Sequence, residues 1–148
     1  MANSITPRVG EHIPAIWRCP KEVDLFLYSA ATWNPHRIHW DRHQARLEGH
    51  ADLVVHGPLQ GNWLIELIEN WLGPSNHRIR RLRFRHLRSA YVNRRYRIEG
   101  VVEEVRKQGT ARNSSEVECC LWVAGEDGVT TRGWALLELE GVPVHGEL

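Results

Sequence analysis

The chain has 148 residues, 42% hydrophobic and 25% charged, the proportions of a globular protein long enough to bury a substantial core. Its formal net charge of +1 gives no global attraction for nucleic acid, and no segment approaches the roughly 20 apolar residues that span a bilayer. Cys19, Cys119 and Cys120 are odd in number and lack Cys-x-x-Cys spacing, which argues against a disulfide framework and against a zinc site.

No metal is therefore expected. The opening "MANSITPRVG" has no charged region followed by an apolar run, so no signal peptide is expected, and with free thiols the expected location is cytosolic. The whole chain, residues 1–148, reads as one domain.

In chain order, "VGEHIPAIW" reads as an extended segment that Pro14 interrupts. Residues 21–32, with Val23, Leu25, Phe26, Tyr28 and Ala30, fit a short helix, ended by the polar run "TWNPHRIHWD". Asp41 is a favoured cap for a second short helix through about Leu47. The strongest helix follows "VVHGPLQGNWLIELIENWLG": Gly57 supplies a tight turn, Pro58 suits the first helical position, and Gly73-Pro74 stops it. Its apolar residues, from Leu59 to Leu72, cover more than half of the circumference, so it should be buried on most sides.

Residues 78–87 then alternate as a strand, with Leu82 and Phe84 on one face and Arg81, Arg83 and Arg85 on the other. "RRYRIEGVVEEVRKQG" reads as the next strand, ending at a Gln108-Gly109 turn. "SSEVECCLWVAGEDG" and "VTTRGWALLELEG" follow, joined at Glu126-Asp127-Gly128 by a hairpin turn. The class is α+β, with a curved antiparallel sheet wrapped round one long central helix. The seven tryptophans are expected mostly in the core.

This layout, together with "YSAATWNPHRIHWD", "LVVHGPLQ" and "LRFRHLRSAYVNRRYRIEGVV", resembles the MaoC-like dehydratase family, which has the hot-dog fold and contains the (R)-specific enoyl-CoA hydratases. The resemblance runs from about Val9 to Leu139 and is greatest to the branch with mesaconyl-CoA hydratases and 3-hydroxyacyl-thioester dehydratases. It implies a hydro-lyase acting on an acyl-thioester, with coenzyme A entering only as part of the substrate and no separate cofactor. Many members of the branch carry two hot-dog units; room for one implies a homodimer or higher oligomer, or a heteromer with a related chain.

The family motif places an Asp five residues before the catalytic His, with Asn-Pro between them. Counting back from His39 puts Asn34 where the Asp belongs, and His36 and Arg37 where Asn-Pro belongs. The resemblance thus implies His39 as the base and the Gly57 backbone N–H as the oxyanion donor, with an amide in place of the acid. Imidazole titrates near neutral pH and suits water activation, whereas Asn34 can only orient. The helix start at Pro58 offers free N–H groups and a positive dipole end to a thioester oxygen.

Other readings stand beside these. His36 either orients the loop or adds a polar group near the thioester. Asp41 is chiefly a cap. His56 either packs or bonds backbone, or joins the chemistry. Trp33 and Trp40 flank the polar run as candidate walls of an acyl pocket, and Arg37 could meet a second carboxylate or serve the loop alone.

Of nineteen basic residues only Lys21 and Lys107 are lysine, and nine arginines fall between His77 and Arg97. A solvated face, a nucleic-acid face and contact with the phosphates of coenzyme A compete here, with Arg85 and Arg88 the candidates for the last. The rival functions are a non-catalytic acyl-CoA-binding or partner subunit, and a thioesterase using a carboxylate such as Glu66 or Glu69 on the central helix.

Overall fold

The computed structural model of the protein describes residues 6–73, 77–108 and 114–140. Five antiparallel strands, β1 (His12–Arg18), β2 (His77–His86), β3 (Tyr96–Gln108), β4 (Ser114–Gly125) and β5 (Gly128–Glu140), form one sheet in the order β1-β3-β4-β5-β2. Against it lie α1 (Glu22–Ala31), a 3-10 turn (Arg37–His39), α2 (Arg42–Leu47) and the long α3 (Gly57–Leu72). This is the expected α+β hot-dog arrangement.

Local chemistry sets most of these boundaries. Asp41 accepts from the Gln44 backbone N–H at 3.1 Å and caps α2. At the other end of α3, Gly73 takes φ 59° and donates its N–H to Glu69 O at 2.8 Å. Glu126 and Asp127 close a two-residue hairpin, with Gly128 at φ 102°. Pro74 and the turn after Gln108 lie outside the described residues.

The core is the interface between α3 and the sheet: Leu64, Leu67, Ile68 and Leu72 meet Ile98, Leu121, Leu137 and Leu139, all essentially inaccessible. Each such side chain contributes about 1.5–3 kcal/mol of burial, and this packing fixes where the start of α3 sits.

Three expectations need correction. Pro14 does not interrupt β1: the strand continues through a register shift between Ile13 and Ile16. It can do so because β1 is a sheet edge, where a missing N–H costs no ladder bond. Of the tryptophans, only Trp63 and Trp71 are buried; Trp17, Trp33, Trp40 and Trp134 are exposed, Trp33 by 91%. Finally, α3 is less enclosed than its composition suggests, because Asn62, Ile65 and Glu69 form an outward stripe.

Candidate active site

The start of α3 is held by an extended segment, Leu53–Val55. Val54 N–H donates to Ile38 O at 3.0 Å, and Val55 N–H donates to Ala90 O at 2.8 Å. This segment therefore ties the polar run at residues 32–41 to the chain that follows β2. Where they meet lies a cavity of about 420 Å³ lined by His39, Val54, Gly57, Gln60, His86 and Arg88, among others.

His39 is 7% exposed, and its Nδ1–H donates to the Val54 carbonyl at 2.7 Å. A carbonyl can only accept, so the ring proton is on Nδ1 and Nε2 carries the lone pair. Burial, followed by the neighbouring His36 and His50, holds its pKa below the ordinary histidine value, with the Val54 bond opposing. His39 is thus neutral near pH 7.

Behind it stands His56, stacked on His39 with ring centroids 3.7 Å apart and planes 18° apart. His56 is fully buried, its Nε2 lies 2.8 Å from Ser29 Oγ, and Nδ1 has no partner among the described residues. Burial, with a smaller contribution from His39, pushes its pKa down to about 4. It packs, as the sequence suggests, and its bond goes to a side chain of α1 rather than to backbone.

Gly57 is the first residue of α3, after the cap residue His56 and before Pro58. Its backbone does not take a left-handed turn conformation; the reason for glycine is close approach. A Cβ there would lie 3.0 Å from His86 Cδ2 and 3.1 Å from Cε1, and closer still to Nε2.

The other expected site residues divide. Arg88 reaches the cavity and donates to the Asp127 carbonyl. Arg85 does not: it lies over Trp134 at 5.8 Å on the outer face of β2, as strand alternation demands. Asn34 is not among the residues lining the His39 cavity; its Oδ1 accepts the His36 N–H at 3.2 Å, a turn bond that shapes the loop. With Trp33, Trp40, Phe26, Ala30 and Pro35 it lines a separate, mostly apolar cleft of about 310 Å³. Arg37 is paired with Asp41 at 2.5 Å, and His36 lies 4.0 Å from Glu48. Pro58 is exposed.

Sequence reasoning missed His86, Gln60 and Ser29. The signal for His86 was available: it continues the Leu82–Phe84 alternation onto the helix-facing side of β2. Gln60 and Ser29 gave none, because their partners lie far away in the chain.

The arginine strand is offset by acids. Arg81 and Arg83 share a cleft with Glu103 and Glu118, Arg80 pairs with Glu138 at 2.5 Å, and Arg97 with Glu99 at 2.6 Å. A phosphate backbone would meet no continuous cationic face there. Among the described residues no group of three or more metal-ligating side chains occurs, and no helix is long and apolar enough to cross a membrane.

Residues 6–92 match the family model described as "Hydroxyacyl-thioester dehydratase type 2". The chain belongs to the hydroxyacyl-thioester dehydratase type 2 family. It is 37% identical over 73 residues to the mitochondrial hydroxyacyl-thioester dehydratase type 2 of Saccharomyces cerevisiae, covering 49% of this chain and 25% of that one. It is 57% identical over 44 residues to the mesaconyl-C(4)-CoA hydratase of Chloroflexus aurantiacus, covering 29% of this chain and 16% of that one. These matches thus span a quarter or less of those relatives.

Solved structures extend the likeness in fold. The (R)-hydratase from A. caviae superposes with a TM-score of 0.78 at 16% identity, covering 93% of this chain and 99% of that one. A chain of the ChsH1–ChsH2 complex of Mycobacterium tuberculosis gives 0.77 at 17%, covering 90% and 98%. At such identity these two comparisons speak for the hot-dog fold of this dehydratase-family chain.

Proposed function

We propose that the protein catalyses reversible hydration of a 2-enoyl thioester to the 3-hydroxyacyl thioester, most simply a coenzyme A ester. The observation that carries this is one cavity lined by both a neutral imidazole, with Nε2 unprotonated, and the first residue of the buried helix. His39 Nε2 takes a proton from water as the oxygen attacks the β-carbon, and the Gly57 N–H receives the thioester oxygen as enolate charge develops there. One such donor contributes about 3–4 kcal/mol of transition-state stabilisation. Asn34 acts through the loop it shapes. The cleft of Trp33 and Trp40 is the acyl wall, and Arg88, on the rim of the cavity, is the candidate for a coenzyme A phosphate.

A thioesterase reading is disfavoured by the fate of its carboxylates: Glu66 is engaged by Arg18, and Glu69 lies 3.1 Å from His77. A partner-subunit reading draws support from Asn34, which cannot trade a proton. In solution the chain pairs with a copy of itself or a related chain, consistent with β2 being an edge strand and with the exposed Phe84 on it and Leu87 just after it. A reducing compartment suits the three free cysteines.

The test is loss of the conjugated thioester absorbance with short, long, branched and dicarboxylic enoyl-CoA esters, on wild type and His39→Ala. Turnover that His39→Ala abolishes supports the proposal. A folded wild-type oligomer inert across the panel would refute it in favour of the partner subunit.

A further inference from the structure

A hydration reaction moves two protons, one from water and one onto the α-carbon. With Asn34 in the acid's place, His36 beside Glu48 and Asp41 paired with Arg37, His39 is the titratable side chain of the loop that lines the cavity. The cavity holds a second imidazole. His86 lies opposite Thr131 in the β2–β5 ladder, and its Nδ1 is 2.8 Å from Thr131 Oγ1. The Thr131 hydroxyl donates its own proton to Gln60 Oε1 at 2.8 Å, and that oxygen also accepts from Thr130 at 2.8 Å. With its proton committed, Thr131 Oγ1 can only accept from His86. The ring proton of His86 therefore sits on Nδ1 and the lone pair on Nε2. The Gln60–Thr130–Thr131 group is buried, so this tautomer is fixed from inside the protein.

The lone pair has a definite location. Nε2 is the atom of His86 that a Cβ on Gly57 would meet first, and it has no hydrogen-bond partner among the described residues. A thioester oxygen seated on the Gly57 N–H puts its α-carbon only two bonds away. A base beside Gly57 thus stands at the α-carbon, while His39, held on the Val54 side of the cavity, is left for the β-carbon.

We propose, resting on the hydration reading above, that His86 is the catalytic acid and base at the α-carbon, taking the place that the loop acid cannot fill. In dehydration, His86 Nε2 takes the α-proton, and the C–H electron pair becomes the thioester enolate. That pair then forms the α,β double bond as the β-carbon–oxygen bond breaks, and the departing oxygen takes a proton from Nε2 of protonated His39 to leave as water. The pair starts with one proton, on His39, and ends with one, on His86; exchange with bulk water restores the start. Hydration is the reverse. Burial lowers the pKa of His86 as it does that of His39, so neither ring holds the shared proton strongly.

The test uses a saturated ester, butyryl-CoA, in D2O, where α-hydrogen exchange needs the α-base but no β-hydroxyl. Wild type and His39→Ala should both incorporate deuterium at the α-carbon, and His86→Asn should do so at least ~100-fold more slowly. His86→Gln serves equally if the asparagine variant does not fold, the residue being only partly enclosed. Exchange lost in His39→Ala but kept in His86→Asn, or absent from wild type, would overturn the proposal. The enoyl-CoA panel is read separately, so exchange without hydration would sink the hydratase reading while leaving His86 as an α-base.

Discussion

Gly57→Ala separates stability from chemistry at one position. The new methyl would sit 3.0–3.1 Å from carbons of the His86 ring and inside contact distance of Nε2, so the ring must swing away. Swinging breaks its bond to Thr131 Oγ1, a loss of about 0.5–1.5 kcal/mol. Against this, alanine in the first helical turn restricts the unfolded chain and returns about 0.4–1 kcal/mol. The two nearly cancel, so Tm should move by no more than about 4 °C.

Activity has no such compensation. The backbone N–H of residue 57 is retained, but Nε2 of His86 no longer stands beside it, and acid–base groups contribute about 10²–10⁴-fold. We expect kcat/KM for the preferred enoyl-CoA to fall at least ~100-fold, with urea and thermal unfolding close to wild type. A Gly57→Ala protein that folds and turns over at the wild-type rate would refute the placement of both substrate and His86 at this helix start. Gly61→Ala is the control: its Cβ would lie 2.6 Å from Phe84 Cζ and 2.7 Å from Cε1, away from the reacting atoms, so stability should suffer before activity does.

His39→Ala should lower kcat by about 10²–10⁴-fold in the absorbance assay and leave the far-UV circular dichroism unchanged. The reaction uses one proton shared by two imidazoles whose pKa values both lie below the ordinary value. Therefore kcat/KM for hydration by wild type should rise as pH falls from about 8 toward about 6.5 and decline only in more acid buffer, where both rings are protonated. His56 carries a stability signature: its folded pKa of about 4 is below its unfolded value of about 6.5, so the unfolded state binds the proton first as pH falls. Stability from this residue is complete above about pH 6.5 and lost toward pH 4. Urea unfolding should therefore show roughly 2 kcal/mol less stability at pH 5 than at pH 7, a difference that His56→Gln removes. Asp41→Ala deletes the α2 cap and should cost about 0.5–2 kcal/mol by the same unfolding measurement.

What could be read from the sequence and what could not divide along the range of the interactions involved. The α2 cap at Asp41, the Gly73 stop and the Glu126–Asp127 hairpin depend on neighbours within four residues, and each stands where the pattern puts it. Tryptophan burial depends on which faces the sheet covers, and composition carries no word of that: Trp63 faces the sheet, stacked on Tyr96, while Trp17 lies on an edge strand under Arg95. Within the site the same rule holds. The loop spacing singles out His39, but its tautomer comes from Val54, fifteen residues on, and the tautomer decides whether Nε2 can act as a base. The tautomer of His86 is set further away still, through Thr131 to Gln60, seventy-one residues apart. Motif spacing therefore locates an imidazole, whereas its protonation state is a tertiary property. A loop acid replaced by asparagine can then be compensated by a strand histidine that no local pattern includes.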